Sequence, residues 1–180
     1  DDGNYVKVAG RLADELRSNN NHGVIWANQF DNTANAKGHY ETTGPEIWEQ
    51  TKGSISGFVC SAGTGGTIGG VASALKGFNS NITIAVADPT GSALYDYYTN
   101  GTLSLEGSSI TEGIGNSRIT TNLQDAPIDM AFQIKDKESI PLVYKMIQEE
   151  GLCLGGSSGV NVAGAIRLAK ELGPGNTIVT

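Results

Sequence analysis

The heptad Ser61-Ala62-Gly63-Thr64-Gly65-Gly66-Thr67 constrains this chain more than any other stretch. Residues 56–60 before it read as a buried strand. Apolar residues at Ile68, Val71, Ala72 and Leu75 after it keep the spacing of one helix face. A backbone that passes from strand to helix through Gly63, Gly65 and Gly66 presents several N–H donors at a helix N-terminus, where the helix dipole also favours an anion. Thr64 and Thr67 add hydroxyl donors, and the absent side chains let phosphate oxygens approach the main chain. The plainer alternative is that the glycines only allow tight packing of helix on sheet.

The rest of the chain alternates strands and helices around this unit. Tyr5, Val8, Ala9, Leu12 and Leu16 fall on one helix face, and residues 19–23 form a polar terminator. Residues 23–27 read as a short buried strand, and 28–44, rich in Asn, Thr and Gly, as a long loop. Pro45 and Gly53 bracket a helix by the proline-start, glycine-stop asymmetry. Further strands are expected over 82–87, 130–134 and 177–179. Helices are expected over 92–98, over 140–149 with Pro141 in its first turn, and over 157–172, while 100–127 carries little periodicity. The fold class that follows is α/β, a mostly parallel twisted sheet with helices on both faces. Both ends fall inside structural elements, so the chain is expected to be one piece of a longer polypeptide.

Composition narrows the function. Twelve Lys and Arg stand against 19 Asp and Glu, a net charge of −7. With Arg11, Arg17, Arg118 and Arg167 scattered and no aromatic residues interleaved among them, nucleic acid and anionic lipid are not expected partners. No apolar run approaches the roughly 18 residues of a membrane span, and Asp1-Asp2 is unlike a basic signal start. Cys60 and Cys153 lie in apolar stretches without metal-ligand spacing and read as buried reduced thiols. A soluble, cytoplasmic protein is expected, with a mitochondrial one left open. No metal site is expected.

The bound phosphate can be narrowed from the same residues. A Walker loop needs Gly-Lys before Ser or Thr, and the chain has no Gly-Lys pair. A dinucleotide fingerprint counted from Gly63 finds Gly65, but then Ile68 where the third glycine belongs. Asp88, some 25 residues on and at the end of the next strand, could stand in for a ribose-binding acid. A nicotinamide oxidoreductase therefore stays as one alternative, and a noncatalytic phosphate-binding module as another.

Four segments together resemble the cysteine synthase and cystathionine β-synthase family, fold type II pyridoxal-phosphate enzymes. They are the heptad; Gln29-Phe30-Asp31-Asn32 with His39 and Thr42-Thr43-Gly44-Pro45-Glu46-Ile47-Trp48; Gly113-Ile114-Gly115; and Gly155-Gly156-Ser157-Ser158-Gly159. They stand in family order. The resemblance implies that residues 1–40 are the end of the smaller domain and the crossover into the active-site loop. Residues 41–180 would be the cofactor-binding large domain, incomplete at its C-terminus. It implies pyridoxal 5′-phosphate as cofactor, with its phosphate on Gly63, Thr64, Gly65, Gly66 and Thr67 and its pyridine nitrogen facing Ser157. Gln29 would bind the substrate carboxylate, Phe30 would wall the pocket, and Gly113 would belong to the second active-site glycine turn. A helix N-cap is the plain alternative for Ser157, and a loop amide satisfying turn backbone is that for Gln29. A neutral hydroxyl at the ring nitrogen suits replacement at the β-carbon better than transamination. Two positions depart from the family pattern: Asn116-Ser117-Arg118 follows Gly115 where apolar residues and glycine are usual, and Asp88 stands where Glu is common. His22 and His39 are read as structural; Glu112 and Arg118, which flank the second glycine turn, are read as exposed loop charges, with substrate contact as the alternative.

The expected reaction is synthesis of L-cysteine from O-acetylserine and sulfide, with cystathionine formation from serine and homocysteine as the runner-up. The chemistry needs a Schiff-base lysine, which the family keeps upstream of these segments. None of Lys7, Lys37, Lys52, Lys76, Lys135, Lys137, Lys145 and Lys170 lies in the family's lysine motif. This chain alone is thus expected to be inactive and to need the N-terminal half of the same enzyme. Family resemblance further implies a homodimer and, as a possible partner, serine acetyltransferase.

Overall fold

The structure, a computed structural model, describes residues 4–19 and 22–180. Its elements are α1 (Tyr5–Asn19), α2 (Ala34–Glu41), α3 (Thr43–Gln50), β1 (Ile55–Cys60), α4 (Gly66–Phe78), β2 (Thr83–Pro89), α5 (Leu94–Asn100), β3 (Met130–Ile134), α6 (Asp136–Glu150), α7 (Gly156–Leu172) and β4 (Thr177–Val179). The strands form one sheet in the order β3-β2-β1-β4. All three ladders are parallel, with Cys60 opposite Val86 and Ala87 opposite Phe132. Parallel strands are buried on both faces, and β1 and β2 are accordingly apolar almost throughout.

Each face has its own core. Phe58, Cys60, Ile84 and Val86 pack with Ile68, Val71 and Leu75 of α4, and with Leu94 of α5 and Leu123. Val59, Ala85, Ala87 and Ile134 pack with Val160, Ala163 and Leu168 of α7. The expected two-sided α/β sheet is what forms. The largest of these side chains are excluded from solvent, and each contributes roughly 1.5–3 kcal/mol of burial. β1 runs to β2 and β3 in one direction, and the chain then returns to place β4 on the other edge of β1. The carboxyl end of β1 is therefore the reversal point at which open α/β sheets hold ligands.

α2 approaches α4 very closely because α4 offers glycine. A methyl on Gly70 would overlap the Ala36 carbonyl and come within 2.7 Å of the His39 Cβ, and one on Gly66 would overlap the Asn35 amide. Close backbone approach is what a side-chain-free helix face permits.

Several expectations need correction. Residues 23–27 form no strand, and Ile25 is 96 % exposed. A lone extended segment has no ladder to join, and none of the described strands pairs with it. Part of the terminator expected over 19–23 lies outside the described residues. The loop expected over 28–44 contains α2, a helix with no buried residue of its own. It is nucleated by Asn32, whose Oδ1 accepts the Ala34 N–H at 3.0 Å, and held by the glycine face of α4. α6 begins at Asp136, so Pro141 lies inside the helix and not in its first turn. Cys60 is buried, its thiol pushed up to about 12 by desolvation, but Cys153 is exposed. No described helix is long and apolar enough to cross a membrane, and no His, Cys, Asp and Glu cluster among the described residues could hold a metal.

Substituting Gly70→Ala should force α2 off α4. We expect a loss of about 1–3 kcal/mol, read as a lower denaturant midpoint at unchanged slope. Gly77→Ala, on the same helix with open space around it, should be neutral or slightly stabilising.

Candidate functional site

At the carboxyl end of β1 the chain turns through residues 61–65 into α4, with Gly65 at a φ of 82° as the N-cap residue. A left-handed residue at a tight turn is cheap only for glycine. Ser61 donates its N–H to Asn161 Oδ1 on α7 at 2.7 Å. Among the described residues no hydrogen bond takes the N–H of Gly63, Thr64, Gly65 or Thr67, and only a long one (3.3 Å, to Thr64 Oγ1) takes that of Gly66. These amides at the start of a 13-residue helix form an anion cradle of the right kind for a phosphate ester.

The second glycine turn lies directly against this loop. Gly113 and Gly115 both adopt positive φ, at 80° and 82°. Gly115 donates its N–H to the Ala62 carbonyl at 2.8 Å, Asn116 Nδ2 donates to the Gly63 carbonyl at 2.9 Å, and a Cβ on Gly63 would overlap the Gly113 carbonyl. Asn116 is itself fixed by Ser92, whose Oγ accepts the Asn116 N–H at 2.8 Å. The polar Asn at this departure from the family pattern thus ties the turn to the loop.

The segment carrying Gln29 and Phe30 joins the same assembly through its backbone. Asn35 Nδ2 donates to the Gln29 carbonyl (2.8 Å) and to Thr64 Oγ1 (3.0 Å). Asn122 Nδ2 donates to the carbonyls of Phe30 (2.8 Å) and Gln29 (3.2 Å), and its Oδ1 accepts the Ala36 N–H. Thr120 Oγ1 donates to the Thr64 carbonyl at 2.7 Å. The Gln29 side chain is exposed and Phe30 half-buried.

Ser157 is half-buried near the N-terminus of α7, one turn before the Asn161 that holds Ser61. The N-cap of α7 is Gly155 and no side chain caps this end, so the capping alternative for Ser157 does not apply. Sequence reasoning missed Asn35, Asn122 and Asn161, and saw Asn116 only as a departure from the family pattern; each is an amide that links two segments. It also gave His39 only a bland role, whereas His39 bridges the hydroxyls of Thr43 (2.9 Å) and Thr67 (3.1 Å).

Asp88 is wholly buried at the end of β2 and accepts the Tyr95 N–H at 2.8 Å, anchoring the start of α5. It is out of reach of any ribose. Its other oxygen has no partner among the described residues, and burial lifts its carboxyl from 3.8 to about 6 despite these hydrogen bonds. Arg118 is no free loop charge either: its guanidinium grips Asp31 with two bonds of 2.8 and 2.9 Å.

The site is therefore an uncharged, amide-lined turn at the reversal point of a parallel sheet, able to receive an anion, with the Ser157 hydroxyl one helix turn before Asn161 at its edge. The family model for pyridoxal-phosphate-dependent enzymes matches residues 2–180. The chain is 47 % identical to cysteine synthase 1 of Emericella nidulans, over 98 % of this chain and 48 % of the relative. It is also 47 % identical to cysteine synthase 1 of Neurospora crassa, over 98 % of this chain and 47 % of the relative. Its fold matches a solved O-acetylserine-dependent cystathionine β-synthase from Helicobacter pylori at a TM-score of 0.80 and 29 % identity, over 93 % of this chain and 52 % of that one. The chain belongs to the pyridoxal-phosphate-dependent enzymes, among the cysteine synthases and cystathionine β-synthases. It spans about half the length of these relatives.

Asp88 yields a test with a definite sign. Its folded-state pKa lies above the unfolded value, so ionisation penalises the fold: the penalty is absent below pH ~4, grows between pH 4 and 6 and is complete above. Asp88→Asn should therefore gain stability on wild type across that window, by on the order of 2–3 kcal/mol in total, measured as the difference in denaturation free energy at pH 4, 5, 6 and 7. A difference independent of pH would mean that Asp88 does not titrate there.

Proposed function

We propose that the protein to which this chain belongs makes L-cysteine from O-acetylserine and sulfide by pyridoxal-phosphate-dependent β-replacement. The observation that carries this is the convergence of three segments, distant along the chain, on the carboxyl end of β1, with Asn161, two residues past the fourth segment, bonded to Ser61 there. In the proposal the N–H groups of Gly63, Thr64, Gly65, Gly66 and Thr67, with the Thr67 hydroxyl oriented by His39, bind the cofactor's phosphate. Ser157 offers its hydroxyl to the pyridine nitrogen. A hydroxyl, unlike a carboxylate, does not hold that nitrogen protonated, which favours chemistry at the β-carbon over transamination. Gln29 binds the substrate carboxylate, Phe30 walls the pocket, and Gly113 bounds it from the opposite turn. Bound pyridoxal phosphate supplies the electron sink that lets the β-substituent leave and sulfide take its place.

No lysine of this chain is assigned to cofactor attachment, and the proposal places that residue in the N-terminal half of the enzyme. On this reading residues 1–40 close the smaller domain and lead into the site, and 41–180 form the cofactor-binding domain. The apolar stripe of α1 supports a large missing partner surface: Tyr5, Val8, Leu12 and Leu16 are all 42 % or more exposed. We further propose a homodimer in the cytoplasm or mitochondrion, with the tail of serine acetyltransferase as a possible visitor to the cleft. Cystathionine formation is the second reading, favoured by the likeness to the Helicobacter pylori enzyme.

The test is an absorbance scan of the full-length natural protein. We expect a visible band from bound cofactor that shifts on adding O-acetylserine and returns on adding sulfide, with cysteine as product. Turnover of serine with homocysteine but not sulfide would install the second reading, and no band even with added cofactor would overturn both.

A further inference from the structure

We infer that the ion pair between Asp31 and Arg118 is a clasp that positions the substrate-binding segment at residues 29–30 against the second glycine turn. This rests on the function proposed above, since it assigns Gln29 to the substrate.

Asp31 directly follows Phe30, and Arg118 lies three residues beyond Gly115. The pair joins positions 87 apart. Asp31 accepts Arg118 Nη1 at 2.9 Å and Nη2 at 2.8 Å, and its Oδ1 also takes the Thr121 N–H and hydroxyl, each at 3.1 Å. A two-pronged guanidinium fixes orientation as well as distance. The same 118–122 strap carries Asn122, which holds the carbonyls of Gln29 and Phe30. Asn122 is buried, whereas the ion pair is partly open, with side chains 33 % and 47 % exposed. The pair is thus the more open end of the strap, and Asn122 the buried one.

Phe30, Asn116, Ser117 and Arg118 line one open cavity of about 460 Å³, which residues 4–7 also line. The clasp therefore sets how far Phe30 stands from the turn across this cavity, beside Gln29. Arg118 holds the Asp31 carboxyl down at about 2, so the clasp stays charged at any pH at which the enzyme would work.

Both residues are positioning residues, and the experiment separates positioning from mere stability. Full-length enzyme is prepared as wild type, Asp31→Asn, Arg118→Gln, Arg118→Lys and the Asn/Gln double variant. Asp31→Asn keeps one oxygen for Thr121 but loses the charge and the second acceptor of the two-pronged pair. We expect KM for the amino-acid substrate to rise about 5–20-fold in each single variant, with kcat changed less than about threefold. The double variant should be no worse than either single, and Arg118→Lys should fall between. Amide hydrogen exchange should quicken at residues 28–33 and stay unchanged at 63–67. Additive single effects, an unchanged KM, or unchanged exchange at 28–33 would each overturn the clasp. If the wild type turns over neither sulfide nor homocysteine, the functional reading fails, and exchange at 28–33 still decides whether the pair holds the segment.

Discussion

Everything at the candidate site depends on backbone meeting backbone at the carboxyl end of β1. Gly63 lies on the Gly113 carbonyl, Gly69 on the Asn122 carbonyl and Gly70 on the Ala36 carbonyl, with no room for a methyl group at any of the three. Each contact brings a different segment to the phosphate loop: the second glycine turn, the 118–122 strap and α2. Without side chains in the way, the segments close to hydrogen-bonding range. Only then can Asn35, Asn116 and Asn122 tie them together.

The amides have a second property that suits this place. An asparagine both donates and accepts, so a single side chain can satisfy an orphan N–H on one segment and a carbonyl on another. Asn122 does this for Ala36 and Phe30. Buried polar groups that are fully paired fix one arrangement and penalise others. Asp88 is the contrast. One of its oxygens anchors α5 and the other has no described partner, so its burial costs stability where the amides gain definition.

The sheet was legible in the sequence because its strands and the helices α4 and α7 that flank it follow the apolar pattern. β1, β2 and β3 carry short apolar runs, and the spacing of Ile68, Val71, Ala72 and Leu75 is that of α4. α2 was not legible: its own residues bury nothing, and its stability comes from glycines about 30 positions further on. The expected strand at 23–27 failed for the opposite reason. Its residues have the right pattern, but a strand exists only with a neighbour to pair with. The glycine turns could be named from the sequence because glycine clusters carry local meaning. The linking asparagines could not, since an Asn in a polar loop looks the same whether it spans two segments or faces water. Arg118 and Asp31 show the same difficulty: 87 residues separate two loop charges that form a two-pronged pair.

Charge decides how such a site treats an anion. None of residues 61–67 is charged, and the guanidinium nearest the second glycine turn in sequence, Arg118, is neutralised by Asp31. In a chain of net charge −7, the proposed attraction for a phosphate would thus come from oriented N–H groups and the dipole of α4. Such donors act only at short range and in a fixed direction. A cluster of lysines would recruit any anion from a distance; this cradle rewards one whose oxygens match the spacing of its amides. Selectivity in the proposed site would therefore follow from the glycine-enforced geometry of the loop, and that geometry is held by the contacts with α2, the second turn and the 118–122 strap.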